Sequence, residues 1–363
     1  MPKKIYLTGI EKKPGKSFIS LGVLSVLKTQ YPSLQCFKLF SESNDLQSEL
    51  LRSLSDSAVK PVMEISEGIA MLRDHPETLF AKVLEATRSL SLQDVAYFEG
   101  SDFESDMGAS GVFEYEFNVS LAYQLNCDLI LVVSAKDRSL AQIGSLINSA
   151  VEISKKNHAR VTAVILNCVL PNQEQETRTF FKKKRAMPDI IIVPEFDYLA
   201  HPSVNDVAQK LQAKIICGAN ALDRMVNQLT VAAKTVGNFL ESRLDRKDML
   251  IITPCDRVDI LLGSLLADQS ANYPKIAGIV LTGGDMPGEA ILNIIKGLEH
   301  PFPVLLTSTS TYETATILYS AKYRLSIADW KKVGASIQAM LPYLSSPLSK
   351  LLAQEETITP VSP

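Results

Sequence analysis

A short segment near the start of the chain has the residue types and spacing that bind nucleotide phosphates. An apolar run ends at Gly9, and a loop then leads to Gly15, Lys16 and Ser17, which begin a segment with helical apolar spacing. The N–H groups of such a loop and helix start attract phosphate oxygens. A lysine there reaches the terminal phosphates, and a serine hydroxyl ligates Mg²⁺. The pattern favours a nucleotide site; the alternative is a strand–turn–helix corner that needs its glycines only for backbone geometry.

Two charged residues at the ends of predicted strands could complete this site. Lys38 lies near the end of the apolar run 34–40, and Glu99 lies near the end of the run 94–100. In open parallel sheets, ligands collect at the carboxyl ends of the strands. There a lysine can face phosphates and an acid can ligate Mg²⁺. The alternatives are a lysine whose ammonium reaches solvent and a solvated acid at a strand end.

Composition bounds the class of protein. The chain has 363 residues, a net charge of -3 and 46% hydrophobic residues, which indicates a soluble globular protein of about two domains. No positive field favours nucleic acid or an anionic membrane, and the basic run 182–185 is expected on the surface. No apolar run approaches the ~20 residues of a membrane helix.

The cysteines indicate a reducing compartment, and neither the cysteines nor the histidines have the spacing of a zinc site. Five cysteines lie far apart beside apolar runs, and the four histidines share no ligand spacing. This pattern is typical of buried free thiols rather than of disulfides or zinc ligands. No signal peptide is evident, so we expect a cytoplasmic protein.

Apolar runs alternate with helical patterns, which is typical of a mostly parallel α/β sheet with right-handed crossovers. We expect a first domain at 1–220, whose last strand is 214–217. A second, smaller α/β domain is expected at 221–344, and it begins with a long helical pattern at 221–244. Residues 345–363 are rich in Pro, Ser, Thr and Glu and are expected to form a linker or tail.

The second domain has polar residues directly after two predicted strands. They are Asp256, Arg257 and Asp259 after strand 250–253, and Thr282, Gly283 and Gly284 after strand 276–281. We treat them as candidates for a regulatory ligand site. The alternative is local chemistry, with Asp256 as a helix N-cap and the glycines in a tight turn.

Taken in order, these segments resemble the N-terminal half of the long form of phosphate acetyltransferase. The matching stretches are TGIEKKPGKS, DVAYFEG, LNCDLILVVS, ILNCVLP, TPCDRVDI, GIVLTGGD and TSTSTYETA. The first domain resembles dethiobiotin synthetase, whose loop likewise has five residues between its first glycine and the Gly-Lys pair, and the second resembles the DRTGG domain. The resemblance implies a P-loop NTPase-like sheet with helices on both faces, followed by a smaller α/β domain.

The resemblance to dethiobiotin synthetase also implies roles for individual residues. Lys16 would hold the terminal phosphates of ATP, Lys38 would lie near them, and Asn167 would face the base. Mg²⁺ would be surrounded by three residues of this chain: Ser17, Glu11 and Glu99. Glu11 departs from the aspartate that is usual in that family. ATP with Mg²⁺ is therefore the implied cofactor.

The family resemblance implies a regulatory and oligomerising region without catalytic residues for acetyl transfer. In the long form, a separate domain transfers acetyl between coenzyme A and phosphate in acetate metabolism, and we expect this chain to lack it. The implied partners are that domain, further copies of the chain, and effectors such as ATP, NADH or pyruvate. Two other hypotheses remain: a stand-alone nucleotide-binding sensor, and an ATP-dependent ligase of the dethiobiotin or cobyrinate type.

Overall fold

The chain folds into two compact units, each built on its own β-sheet. The structure is a computed structural model that describes residues 3–11, 14–41, 48, 51, 53–55, 62–87, 95–101, 111–184, 187–196, 201–242, 246–299, 301–321 and 330–353. The first unit comprises Met1–Glu195 together with Ser326–Pro363, and the second unit is Phe196–Leu325. The boundary expected at residue 220 therefore lies inside the second unit.

The first unit is built on a six-stranded parallel sheet. Its strands are β1 (Lys3–Gly9), β2 (Leu34–Lys38), β5 (Val95–Glu99), β6 (Asp128–Ser134), β7 (Val161–Val169) and β8 (Asp189–Pro194), and a small separate pair comprises β3 (Phe40–Ser41) and β4 (Met63–Glu64). The large sheet has the order β2-β5-β1-β6-β7-β8, and every neighbouring pair is parallel. The helices from this part of the chain are α1 (Lys16–Gln30), α2 (Ile65–Asp74), α3 (Pro76–Ala86), α4 (Gly111–Gln124), α5 (Leu140–Lys156) and α6 (Glu174–Lys182).

Burial on both faces explains why these strands are continuous apolar runs. All five residues of Leu129–Val133 in β6 are buried, and so are all five of Val95–Glu99 in β5. Parallel strands in α/β proteins are covered by helices on both faces, so neither face needs polar residues. The mostly parallel α/β fold predicted from the sequence is confirmed.

The second unit has a five-stranded mixed sheet. Its strands are β9 (Lys214–Cys217), β10 (Gln228–Val231), β11 (Met249–Pro254), β12 (Ile276–Thr282) and β13 (Val304–Leu306), in the order β10-β11-β12-β13-β9. Its helices are α7 (Val204–Leu211), α8 (Val236–Glu241), α9 (Val258–Gln269), α10 (Glu289–Lys296) and α11 (Thr311–Ser320). Strand β9, expected in the first domain, instead pairs antiparallel with β13.

The long helix expected at 221–244 is absent from the described part of that range. A 3₁₀ turn at Ala219–Ala221, strand β10 and the short helix α8 occur instead. Thr230 and Val231 are β-branched and suit a strand, and they pair with Ile251 and Ile252 of β11. The tertiary pairing therefore outweighs the helical apolar spacing.

Helix α12 (Trp330–Ala353) belongs to the first unit although it follows the second in the chain. Met340, Leu344 and Leu348 recur every four residues and are buried. A Cβ at Gly22 of α1 would lie 2.6 Å from Leu344 Cδ1, so α1 and α12 approach closely. The tail expected at 345–363 therefore begins inside a packed helix, and residues 354–363 lie outside the described residues.

Within the described part of the chain, no helix combines the length and apolar character needed to cross a membrane.

Candidate functional site

The described part of the loop between β1 and α1 ends in a left-handed glycine at the start of the helix. Gly15 is the N-cap of α1 with φ 83° and ψ 23°, a left-handed conformation that glycine adopts without steric cost. A Cβ at Gly15 would lie 2.2 Å from Nδ2 of Asn167. The Gly15 carbonyl accepts bonds from the N–H groups of Phe18 and Ile19, both at 3.1 Å. The N-terminus of α1, which attracts anions, therefore lies just beyond the carboxyl end of β1.

Lys16 bridges this loop to the end of the neighbouring strand β5. Its side chain is buried, with 3% exposure, and its ammonium donates to the carbonyl of Gly100. Gly100 follows β5, and its own N–H donates to the Leu7 carbonyl of β1 at 2.8 Å. A buried ammonium needs acceptors, and anionic phosphate oxygens attract it more strongly than a neutral carbonyl oxygen does.

Lys38 and Glu99 lie side by side at the same edge of the sheet. They are Cα partners in the register of β2 and β5, so their side chains project on the same face. Glu99 is 2% exposed, and Lys38 is half-buried. Burial raises the pKa of Tyr97, and the nearby Glu99 carboxylate raises that pKa further. The register therefore brings both candidates to the same edge of the sheet, and their role at a nucleotide site stays a prediction.

Asn167, in strand β7, also contacts the loop. It is 3% exposed, and its Nδ2 donates to the Pro14 carbonyl at 3.0 Å. This contact holds the turn that precedes Lys16. In this structure the amide therefore supports the loop, whereas the resemblance implied that it faces the base.

Glu11 is engaged by an arginine that sequence reasoning missed. Arg138 Nη1 donates to Glu11 Oε1 at 2.5 Å, and Nη2 pairs with Oε2. The N–H of Ser134 also donates to Oε1, at 3.0 Å. The bond to Glu11 raises the pKa of Arg138 above its ordinary value. The partners are 127 residues apart in the chain, and no local sequence signal joins them.

Asn118 of α4 is a second residue without a sequence signal. Its Oδ1 accepts bonds from the Tyr6 hydroxyl at 2.8 Å and from the Ser101 N–H at 3.0 Å. A Cβ at Gly100 would lie 2.7 Å from the same oxygen. Asn118 therefore fixes the backbone that carries the carbonyl bound by Lys16.

The structure brings the first-domain candidates to one edge of one sheet. They lie at the carboxyl ends of β1, β2, β5 and β7 or at the start of α1: Gly9, Glu11, Gly15, Lys16, Ser17, Lys38, Glu99 and Asn167. Ser17 is the second residue of α1 and is half-buried. Among the described residues, no group of three or more His, Cys, Asp or Glu side chains could hold a metal ion.

The second-domain candidates lie after the adjacent strands β11 and β12. Pro254 and Thr282 are Cα partners, so the segments that follow them leave the sheet side by side. Helix α9 begins at Val258 with Arg257 as its N-cap, so the capping expected of Asp256 is not formed. Asp256 is exposed. Arg257 donates to both carboxylate oxygens of Asp259, at 2.8 and 2.9 Å, and this bond lowers the pKa of Asp259.

The Thr-Gly-Gly segment is tied to the residues after β13. The N–H groups of Gly283 and Gly284 donate to the carbonyls of Thr309 and Thr307, both at 3.0 Å. The Thr282 and Thr311 hydroxyls lie 2.7 Å apart. These bonds join two segments that are distant in the sequence. Gly283 and Gly284 have φ of 96° and 85°, the left-handed conformation that a tight turn requires, and a regulatory ligand site here stays a prediction.

Comparison with known proteins agrees with this division of the chain. Residues 3–203 match the family model of an AAA domain, and residues 206–321 match that of the DRTGG domain. The phosphate acetyltransferase of Synechocystis sp. is 29% identical over 350 residues, covering 93% of this chain and 50% of the relative. That of Nitratidesulfovibrio vulgaris is 27% identical over 367 residues, covering 95% of this chain and 51% of the relative. The chain therefore spans about half the length of the curated relatives it matches.

Among solved structures, HepE of Anabaena in complex with UDP covers 97% of this chain at 14% identity with a TM-score of 0.35. That score is too low to support a conclusion. The sequence matches, in contrast, confirm the resemblance to phosphate acetyltransferases and both expected domain types. Because the AAA domain model matches more than half of the chain, the chain belongs to the AAA domain family, with a DRTGG domain after it.

Proposed function

We propose that the first unit binds a magnesium nucleotide, ATP in the first instance, and that the chain is the regulatory and oligomerising region of a phosphate acetyltransferase. The observation that carries the nucleotide proposal is Lys16. Lys16 is the first residue of α1, and its buried ammonium contacts the carbonyl of Gly100, the residue that follows Glu99 in the chain. This arrangement offers phosphate oxygens a cation and helix N–H groups, and it offers Mg²⁺ a nearby carboxylate.

The residues of the loop fit such a ligand. Gly15 packs so closely against Asn167 that a side chain at this position would not fit, which keeps the turn before Lys16 in place. Lys16 and Lys38 would hold phosphate oxygens, and Ser17 and Glu99 would ligate Mg²⁺ directly or through water. Bound Mg²⁺ would neutralise phosphate charge, and the chain's own residues would orient the nucleotide.

The wider role is proposed from the relatives. Their name denotes acetyl transfer that involves phosphate, and the family resemblance implies coenzyme A as the other acetyl carrier. This chain would modulate that reaction in an acetyltransferase domain rather than perform it. Further copies of the chain would be its oligomer partners, and NADH or pyruvate would be additional effectors. The five cysteines, all free in the structure, are compatible with our placement of the protein in the cytoplasm.

The test is a thermal-shift and calorimetric titration with Mg-ATP, comparing the parent with Lys16→Ala. A ligand that binds only the folded state raises the melting temperature. We expect Mg-ATP to stabilise the parent and Lys16→Ala to lose at least about tenfold in affinity, since a charged bond contributes ~1.5–3 kcal/mol. Lys28→Ala, an exposed position at the other end of α1, should bind like the parent.

Two outcomes would redirect the proposal. If neither Mg-ATP nor another nucleotide shifts the melting temperature of the parent, the nucleotide site is refuted. If Mg-ATP binds and inorganic phosphate then accumulates with a carboxylate substrate, the chain is a ligase rather than a regulatory region. Binding without turnover supports the regulatory role.

A further inference from the structure

A bidentate ion pair holds the phosphate loop in the structure. Both carboxylate oxygens of Glu11 contact the guanidinium of Arg138, and Oε1 also accepts the Ser134 N–H. The Glu11 side chain is only 17% exposed, and that of Arg138 is 33% exposed. This fork-to-fork geometry is the strongest form of arginine–carboxylate pair.

The position of Arg138 is fixed by its neighbours in the chain. Arg138 Nη1 also donates to the Ser134 carbonyl at 3.1 Å, and the Arg138 N–H donates to the Ala135 carbonyl at 3.3 Å. The next residue, Ser139, caps α5 through a capping box with Gln142. The segment after β6 therefore presents one cation to the loop in a defined place.

Each member of the pair also has a natural partner in a magnesium nucleotide. A carboxylate is a hard oxygen ligand that suits Mg²⁺. A guanidinium matches phosphate oxygens through two parallel hydrogen bonds. The two groups that now neutralise each other are thus the two groups that a metal and its phosphates would separate.

We propose that the Glu11–Arg138 pair makes the loop selective for metal-bound over metal-free nucleotide, with Arg138 moving to phosphate and Glu11 to the metal. The inference rests on the proposed nucleotide site and adds a residue to it. Without Mg²⁺, a move of Arg138 to phosphate would leave the Glu11 carboxylate facing phosphates of like charge, so the pair stays closed and Arg138 does not contact a metal-free nucleotide. Mg²⁺ replaces the positive charge that Glu11 loses, so the exchange is balanced only when the metal is present.

The test measures ATP affinity by calorimetry with Mg²⁺ and with EDTA. Its readout is the ratio of the affinity with Mg²⁺ to the affinity with EDTA. Glu11→Gln removes a metal ligand and also removes repulsion. It should therefore bind Mg-ATP more weakly and metal-free ATP more tightly, lowering the ratio about tenfold. Arg138→Gln leaves Glu11 without its cation, so metal-free ATP should suffer most and the ratio should rise.

Lys136→Gln is the matched control. It removes a cation from the same segment, but Lys136 pairs with Glu195 at 3.0 Å and not with Glu11. We expect its ratio to stay within about twofold of the parent, because charges separated by solvent are screened. If the pair were purely structural, its loss in either variant would weaken the binding of Mg-ATP and of metal-free ATP by a similar factor.

The results separate the inference from the proposed function. If the parent binds no nucleotide in either condition, both are overturned. If the parent binds ATP but Glu11→Gln and Arg138→Gln shift the ratio in the same direction, or leave it unchanged, the inference alone is overturned. Opposite shifts in the two variants, with the control unchanged, support it.

Discussion

The close approach of α1 and α12 predicts how two substitutions will interact. An added Cβ at Gly22 would lie 2.6 Å from Leu344 Cδ1, 3.1 Å from Met340 Cε and 3.2 Å from Met340 Sδ. Favourable carbon contacts begin at ~3.5 Å, so Gly22→Ala must displace buried side chains. Such overpacking costs about 1–3 kcal/mol. Alanine also gains about 1 kcal/mol over glycine in a helix, so we expect a net loss of about 0–2 kcal/mol.

Leu344→Ala changes that balance. Leu344 is fully buried, and its truncation alone should cost about 2–5 kcal/mol through a cavity. In that background the closest contact, with Leu344 Cδ1, is gone, and the milder contacts at 3.1 and 3.2 Å are with the flexible side chain of Met340. Most of the gain in helix propensity of ~1 kcal/mol is then recovered. Gly22→Ala should therefore become stabilising, with a coupling of about 1–3 kcal/mol between the two sites.

Native-state hydrogen exchange of α1 peptides at several urea concentrations reports the stability of the first unit alone. Gly334→Ala is the control, because a Cβ there meets nothing within 4 Å and should stabilise α12 by at most ~1 kcal/mol. Effects of Gly22→Ala and Leu344→Ala that add to within about 0.5 kcal/mol would refute the close packing of α1 and α12.

Two further changes test other contacts. Asn118→Ala removes the acceptor for the buried Tyr6 hydroxyl and the Ser101 N–H, and should cost about 2–4 kcal/mol in urea unfolding; a loss below about 1 kcal/mol would contradict the assigned network. Burial raises the pKa of Cys217 from 9.0 to about 11. The unfolded thiol therefore loses its proton first, and the stability of the second unit should fall as the pH rises through this window. In urea unfolding near pH 8 and near pH 10.5, Cys217→Ala should lose less stability than the parent; an equal loss would exclude this thiol as a cause.

Local signals explain what could be predicted from the sequence. The loop from Gly9 to Ser17 and its flanking strand and helix are adjacent in the chain, so their spacing alone predicted the strand–loop–helix arrangement that the structure has. Lys38 and Glu99 could be placed together because each ends a strand of a parallel sheet, and their register agrees. A prediction of this kind needs only the rule that parallel strands end at one edge.

Contacts between distant segments explain what could not be predicted. Arg138 and Glu11 are 127 positions apart in the chain, and no local pattern around either residue predicts that they form an ion pair. The sequence of strand β9 does not differ in pattern from the strands of the first sheet, so only its pairing with β13 assigns it to the second sheet. In α12, Pro342 and Pro347 lie inside the helix. Because proline normally ends or kinks a helix, the four-residue apolar repeat of this segment was not recognised as a helix.

The return of α12 to the first unit has a consequence for synthesis on the ribosome. When Glu195 has been made, 158 further residues, 353 minus 195, must be added before α12 is complete. At ~5–20 residues per second, that delay is about 8–30 s. During it, the face of α1 around Gly22 lacks its cover, while the second unit, which is continuous in sequence, can finish folding. The nascent first unit therefore passes through an interval in which an apolar helix face is open to chaperones and proteases.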